Sequence, residues 1–263
     1  MGYTFAIYNQ KGGVGKTSTS IHTAVALAEM GVPTLLVDLD PNRNACKVFE
    51  KEGESPKYSL KDILSDKGFD PNVAICPAYA DGSEPIENLH VIHSDISLAV
   101  LQSTISGHVH KEKFLKRQLD KITNEHVVLI DMPATMCDLA LNGVYAADYL
   151  VIVSSYETDS VAGISDLFRF VSEIKETQNF DYKILRNKKD GRKKSNIEYL
   201  QFQLEDFEKK GKLFETIIYC DNTIERAKRE NKTVFTFDPN CKVKSDYMQF
   251  ANELKEIYLH GKS

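Results

Sequence analysis

The sequence predicts an α/β fold: a doubly wound, mostly parallel sheet with helices on both faces. Three observations carry the prediction. Short apolar runs, as expected of strands buried on both faces, recur along the 263 residues. Stretches of helical period lie between them. The first apolar run leads straight into the glycine-rich turn Lys11-Gly12-Gly13-Val14-Gly15-Lys16-Thr17, with a helical pattern directly after it.

Residues 3–8 read as a buried strand, and 17–30 as a helix with Ile21, Ala24, Val25 and Ala28 on one face. Gly31 stands where a helix end favours a left-handed residue, and Pro33 prevents continuation before a second strand at 33–37. Residues 42–90 are more polar, punctuated by Gly, Pro and Asp, and read as a surface excursion with one short helix at 59–64. A strand at 89–92, a helix at 96–105 and a charged helix at 111–122 come next. Apolar strands at 127–130 and 149–153 lead to a helix at 161–176 and a strand at 182–185. A basic loop then reaches a helix at 197–209, a last strand at 213–218 and closing helices at 223–230 and 245–259. With no internal repeat or low-complexity linker, residues 1–263 read as one domain.

With 42% hydrophobic and 27% charged residues the chain can bury one sizeable core. No apolar stretch approaches a membrane span and no signal peptide precedes the first strand, so a soluble cytoplasmic protein is expected. The five cysteines (Cys46, Cys76, Cys137, Cys220 and Cys241) form no Cys-x-x-Cys pair, which suggests neither a disulfide framework nor a zinc ribbon. His108-x-His110 lacks a third ligand at sensible spacing and reads as a solvated loop, so no transition metal is assigned. The net charge of −5 excludes a chain coated throughout for nucleic acid, so any such binding must be local.

The glycine-rich turn has the chemistry of a phosphate cradle for an ATP-type nucleotide. Glycines at Gly12, Gly13 and Gly15 let backbone N–H groups around Val14 point at a polyphosphate, and the helix opening at Thr17 and Ser18 adds its positive end. Lys16 is placed to meet the outer phosphates and the Thr17 hydroxyl to ligate Mg²⁺. Gln10 stands where the general pattern has glycine, and a second lysine, Lys11, is present: the loop is a variant one.

In doubly wound sheets ligands gather at the carboxyl ends of strands, so aspartates just past apolar runs are the candidates. Asp38 and Asp40, two residues apart on extended chain, share one side, and Asp131 ends a further strand. Asp131 fits a magnesium-holding role with Asp38 as a second metal-side carboxylate, leaving Asp40 to orient the attacking water. The other reading of Asp38 and Asp40 is that they cap the strand end.

Taken together, Lys11 to Thr17, Val37-Asp38-Leu39-Asp40-Pro41-Asn42 and Ile130-Asp131-Met132-Pro133 resemble the three nucleotide motifs of the ParA family of deviant-Walker P-loop ATPases. The likeness extends through residues 141–148, Arg186-Asn187-Lys188 and Phe237-Asp238-Pro239, nearly the whole chain. The resemblance implies ATP and Mg²⁺ as cofactors and a homodimer in the ATP state, in which Lys11 reaches the partner subunit's nucleotide while Lys16 serves its own. It implies that Asn187 and the backbone around Pro239 contact adenine, with Gln10 and Asn42 near the phosphates. It also implies non-specific DNA binding, nucleoid association and a cargo-bound partner of ParB or adaptor type that stimulates hydrolysis. Two departures stand out: Pro133 is followed by Ala134 rather than a second proline, and Cys220 lies near an expected DNA-binding arginine.

Lys183, Arg186, Lys188, Lys189, Arg192, Lys193 and Lys194 form a basic run interrupted by one acid, Asp190, and Arg226, Lys228 and Arg229 form a second cluster. Both can contact phosphates without reading bases, or be solvated faces. Two other classes compete. A membrane-surface positioning ATPase of the MinD type needs a basic amphipathic tail, but the last helix has an acidic polar side with Asp246, Glu253 and Glu256, so no stable membrane association is expected. An iron-sulfur reductase needs more than Cys137, which reads as a buried thiol.

Overall fold

The computed structural model describes residues 2–105, 109–123, 126–156, 161 and 163–261; His108 of the histidine pair lies outside them. The chain runs β1 (Tyr3–Tyr8), α1 (Lys16–Glu29), β2 (Thr34–Asp38), α2 (Leu60–Ser65), β3 (Cys76–Ala80), β4 (Glu84–Ile92), α3 (Leu98–Ile105), α4 (Phe114–Leu119), β5 (Val127–Asp131), α5 (Asp138–Ala146) and β6 (Tyr149–Ser155). It continues through α6 (Ile164–Lys175), β7 (Asp181–Lys189), α7 (Lys194–Lys209), β8 (Leu213–Tyr219), α8 (Asn222–Arg229), α9 (Val234–Phe237) and α10 (Lys242–Gly261). The strands form one sheet in the order β3-β4-β2-β5-β1-β6-β7-β8, parallel throughout except for the antiparallel β3–β4 pair.

Alternation along the strands builds two cores. Phe5 and Ile7 of β1 face a layer made with α1 and α10, where Val25, Tyr247, Phe250 and Leu254 are buried. Ala6 and Tyr8 face the opposite layer, with Leu115, Leu139, Val144 and Leu167. The acids of α10 explain themselves at the sheet edge. Glu253 accepts from the Glu215 and Thr216 N–H groups (3.0 and 2.8 Å), and Asp246 from Tyr219 N–H (2.9 Å). These contacts cover the otherwise unpaired edge of β8.

The structure corrects several predicted elements. The excursion over 42–90 contains β3 and most of β4, hidden because Pro77 and Pro85 interrupt them and only Ala78 of β3 is fully buried. The predicted helix at 111–122 is a 3₁₀ turn followed by the short α4, whose end tightens as Lys121 N–H and Ile122 N–H bond three residues back. An additional helix, α5, contains Gly143, which weakens a helical reading. A Cβ there would stand 2.1 Å from Met132 Sδ, so the glycine lets α5 lie against the ends of β2 and β5. The basic run is not a loop as far as Lys189, because β7 extends to that residue and only 190–193 connect it to α7.

Candidate nucleotide site

β1, β2 and β5 end side by side, with Asp38 in register opposite Asp131 and Asp131 opposite Ile7. The glycine-rich loop therefore leaves β1 next to both aspartates, where the strand order switches. Gly13 and Gly15 take left-handed φ of +79° and +99°, and Gly15 caps α1. A Cβ on Gly15 would lie 2.2 Å from Asn187 Nδ2, whereas nothing lies within 4 Å of one on Gly12 or Gly13. The loop is thus tightly held underneath and open above.

Asn9 supplies much of that hold. Its side chain accepts from Lys11 N–H (2.9 Å) and donates to Val153 O (2.8 Å), tying the loop to β6. From the far end of β7, Asn187 Nδ2 donates to Val14 O (2.9 Å) and Lys188 Nζ to Gly13 O (2.6 Å). Lys16 turns back into the loop, donating to Lys11 O (3.0 Å). Burial lowers its pKa, and the charges of Asp131 and Asp40 oppose the shift. Lys16→Ala is expected to weaken ATP binding by about 2–5 kcal/mol, at least about 30-fold in Kd, in a fluorescent-nucleotide titration.

Asp131 is fully buried, and accepts from Ser20 Oγ (2.7 Å). Its second oxygen, Oδ2, is buried without a hydrogen-bond partner. Asp38 is equally buried but differently used: Oδ1 accepts from Asp40 N–H, and Oδ2 from Ala45 and Cys46 N–H groups at 3.0–3.1 Å. Asp38 thus holds the chain past its own strand end, while Asp131 keeps an unpaired carboxylate oxygen. Asp40, partly exposed, is oriented by Asn42, whose backbone and side-chain N–H groups donate to Oδ1 (2.9 and 2.8 Å), while Ser94 Oγ donates to Asp40 O (2.7 Å).

Desolvation raises the pKa of both Asp38 and Asp131, and each aspartate's neighbouring carboxylates add to the rise. The native state then holds protons that the unfolded chain has released, so their contribution to stability declines as pH climbs above the ordinary carboxylate value near ~4. Asp131→Asn is expected to stabilise the nucleotide-free protein by about 1–3 kcal/mol at neutral pH and to flatten this decline, read by thermal unfolding across pH. In the same variant, added Mg²⁺-ATP should raise the melting temperature less than in wild type.

The residues present fit a magnesium nucleotide: an open glycine cradle, a bare buried carboxylate oxygen on Asp131, an unpartnered buried Gln10 Nε2, and Lys16 and Thr17 beside them. Asn9, Ser20 and Ser94 were not singled out in the sequence. Ser20 alone left a trace there, one helical turn beyond Lys16 on the same face. Pro239 is exposed in the turn between α9 and α10.

The predicted DNA-facing residues divide. Arg186 is turned to the β8 carbonyls of Phe214 and Glu215 (2.9 and 3.4 Å), and Lys188 to the loop. Lys189 and Arg226 lie over the rings of Tyr219 and Phe237. Arg192 is exposed but paired with Asp190, whose pKa the guanidinium lowers to about 2. Lys193, Lys194, Lys228 and Arg229 are exposed. Cys220 N–H donates to Lys189 O (3.0 Å), bringing together the segments that follow β7 and β8, and with them the two basic clusters.

Fold and site together define a P-loop ATPase with a second lysine in its phosphate loop. A family model described as an AAA domain, AAA_31, matches residues 2–184. The sporulation initiation inhibitor protein Soj of Bacillus subtilis (strain 168) is 31% identical over 258 residues, 97% of this chain and 98% of that one. The chromosome-partitioning ATPase Soj of Treponema pallidum (strain Nichols) is 28% identical over 97% of each chain. Among solved structures, cobyrinic acid a,c-diamide synthase from Mycobacterium smegmatis with bound ATP analog and magnesium superposes with a TM-score of 0.75 at 25% identity, covering 99% of this chain and 97% of that one. The chain belongs to the ParA-type family of partition and positioning ATPases.

Proposed function

We propose that this protein dimerises around ATP, binds DNA without sequence preference in that state, and hydrolyses ATP when a cargo-bound partner of ParB or adaptor type stimulates it, thereby segregating or positioning plasmid or chromosomal DNA. ATP and Mg²⁺ are its cofactors. The reading rests above all on the two lysines of one loop. Lys16 is buried and turned inward, while Lys11 lies at the partly exposed rim beside the exposed Gly12 and Gly13, where a second subunit can approach.

Bound Mg²⁺ supplies neutralising charge at the phosphoryl oxygens. Asp131 and Thr17 would hold it, with Asp38 fixing the chain behind them. Lys16 cradles the phosphates of its own subunit, Lys11 projects toward those of the partner, and Asp40 positions a water for in-line attack. Asn187 and the Pro239 turn flank the base.

One structural feature favours DNA over a membrane as the surface bound: the apolar side of α10 is spent on the protein's own core. Lys193, Lys194, Lys228 and Arg229 are the exposed cations suited to phosphates. DNA retention is expected with ATP, not with ADP or without nucleotide, and should fall steeply with salt. Equal retention in all three states would refute the reading.

A further inference from the structure

We propose that Cys46, Glu50 and His93 form a binding site for a thiophilic divalent cation such as Zn²⁺, distinct from the magnesium site and independent of the nucleotide reading. One ligand atom from each residue, the thiol sulfur, a carboxylate oxygen and a ring nitrogen, lies within 4.8 Å of the other two. Cys46 is 0% and His93 3% exposed; His93 Nδ1 is buried with no hydrogen-bond partner, while the Cys46 thiol donates weakly to Arg43 O (3.6 Å).

The backbones that carry these groups are fixed. Cys46 opens the 3₁₀ turn Cys46–Phe49 and is held through its N–H to Asp38 (3.0 Å). Glu50 closes that turn, and His93 follows β4, its carbonyl accepting from Leu60 N–H (2.8 Å). A cavity of about 290 Å³, lined in part by Glu50, Cys76 and His93, gives access. Thiolate, imidazole and carboxylate together suit Zn²⁺, and three protein ligands leave a fourth position for water. The set is invisible in the sequence because His93 arrives from another strand.

Arg43 stands at this corner, pairs with Glu50 and has its Nε buried without a partner. With its side chain about a third exposed, it can swing into solvent when a cation takes its place. Binding would staple the turn that follows Asp40 to the end of β4, and so restrain the segment carrying Asp40 and Asn42.

The probe is Co²⁺, added to the full chain after EDTA treatment and in excess Mg²⁺ to occupy the nucleotide-side metal site. The wild type should give a near-ultraviolet thiolate-to-cobalt charge-transfer band that Zn²⁺ bleaches. Cys46→Ser should abolish the band and Cys76→Ser retain it. Glu50→Gln, at a partly exposed position, should remain folded and weaken Co²⁺ binding at least about tenfold. Arg43→Ala should tighten binding. No band in the wild type, a band that survives Cys46→Ser, or unchanged affinity in a folded Glu50→Gln protein would each overturn the site.

Discussion

Lys11→Ala is expected to bind ATP about as tightly as the wild type, yet to remain monomeric and to lose at least about 10³-fold of its partner-stimulated hydrolysis. The asymmetry follows from how the two lysines are held. Lys16 is buried beneath the loop within electrostatic reach of Asp131 and Asp40, so it serves the site of its own chain. The Lys11 backbone is pinned by Asn9, but its side chain starts from the rim, above glycines that leave open space. Phosphoryl transfer asks little covalent chemistry of the protein, so a cation delivered to the developing charge acts directly on the barrier. Delivery from a second subunit would couple hydrolysis to association. Light scattering with ATP, nucleotide titration and phosphate release separate the three properties, and an Lys11→Ala protein that hydrolyses normally would refute the role across the dimer.

The fold and the heart of the site were legible because they rest on local patterns. Apolar runs marked seven of the eight strands, β4 only in its last four residues, the glycine turn marked the loop, and Asp38 and Asp131 each ended such a run. What stayed hidden depends on contacts between distant segments. Nothing near Asn9 in sequence says that its amide reaches Val153. Asn187 came into view through family likeness alone, as an expected adenine contact, and the contact that geometry gives it is a different one, filling the space that Gly15 leaves beneath the loop. Charge runs were the least informative signal. Arg186 and Lys188 belong to the densest basic stretch, but β8 carbonyls and the phosphate loop claim their head groups, so composition alone overstated the free positive surface.

Asp40→Ala is expected to do the opposite of Lys11→Ala: to accumulate an ATP-held dimer that stays on DNA while phosphate release falls by about 10²–10⁴. Asp40 contributes no large share of the hold on its own strand end, because that work belongs to Asp38 and its three backbone donors. Its carboxylate is aimed instead. A carboxylate has roughly four acceptor positions, of which Asn42 takes two at Oδ1, and Ser94 fixes the main chain behind it. The remaining capacity suits a water held for attack, and removing it leaves Lys16, Thr17 and Asp131 intact for binding. Asn42→Ala should then reproduce a weaker form of the same defect, slower release with unchanged ATP affinity, because it loosens the aim without removing the base. If Asp40→Ala instead lost ATP binding while remaining folded, Asp40 would belong to the binding shell, and the task of positioning water would have to pass to another group.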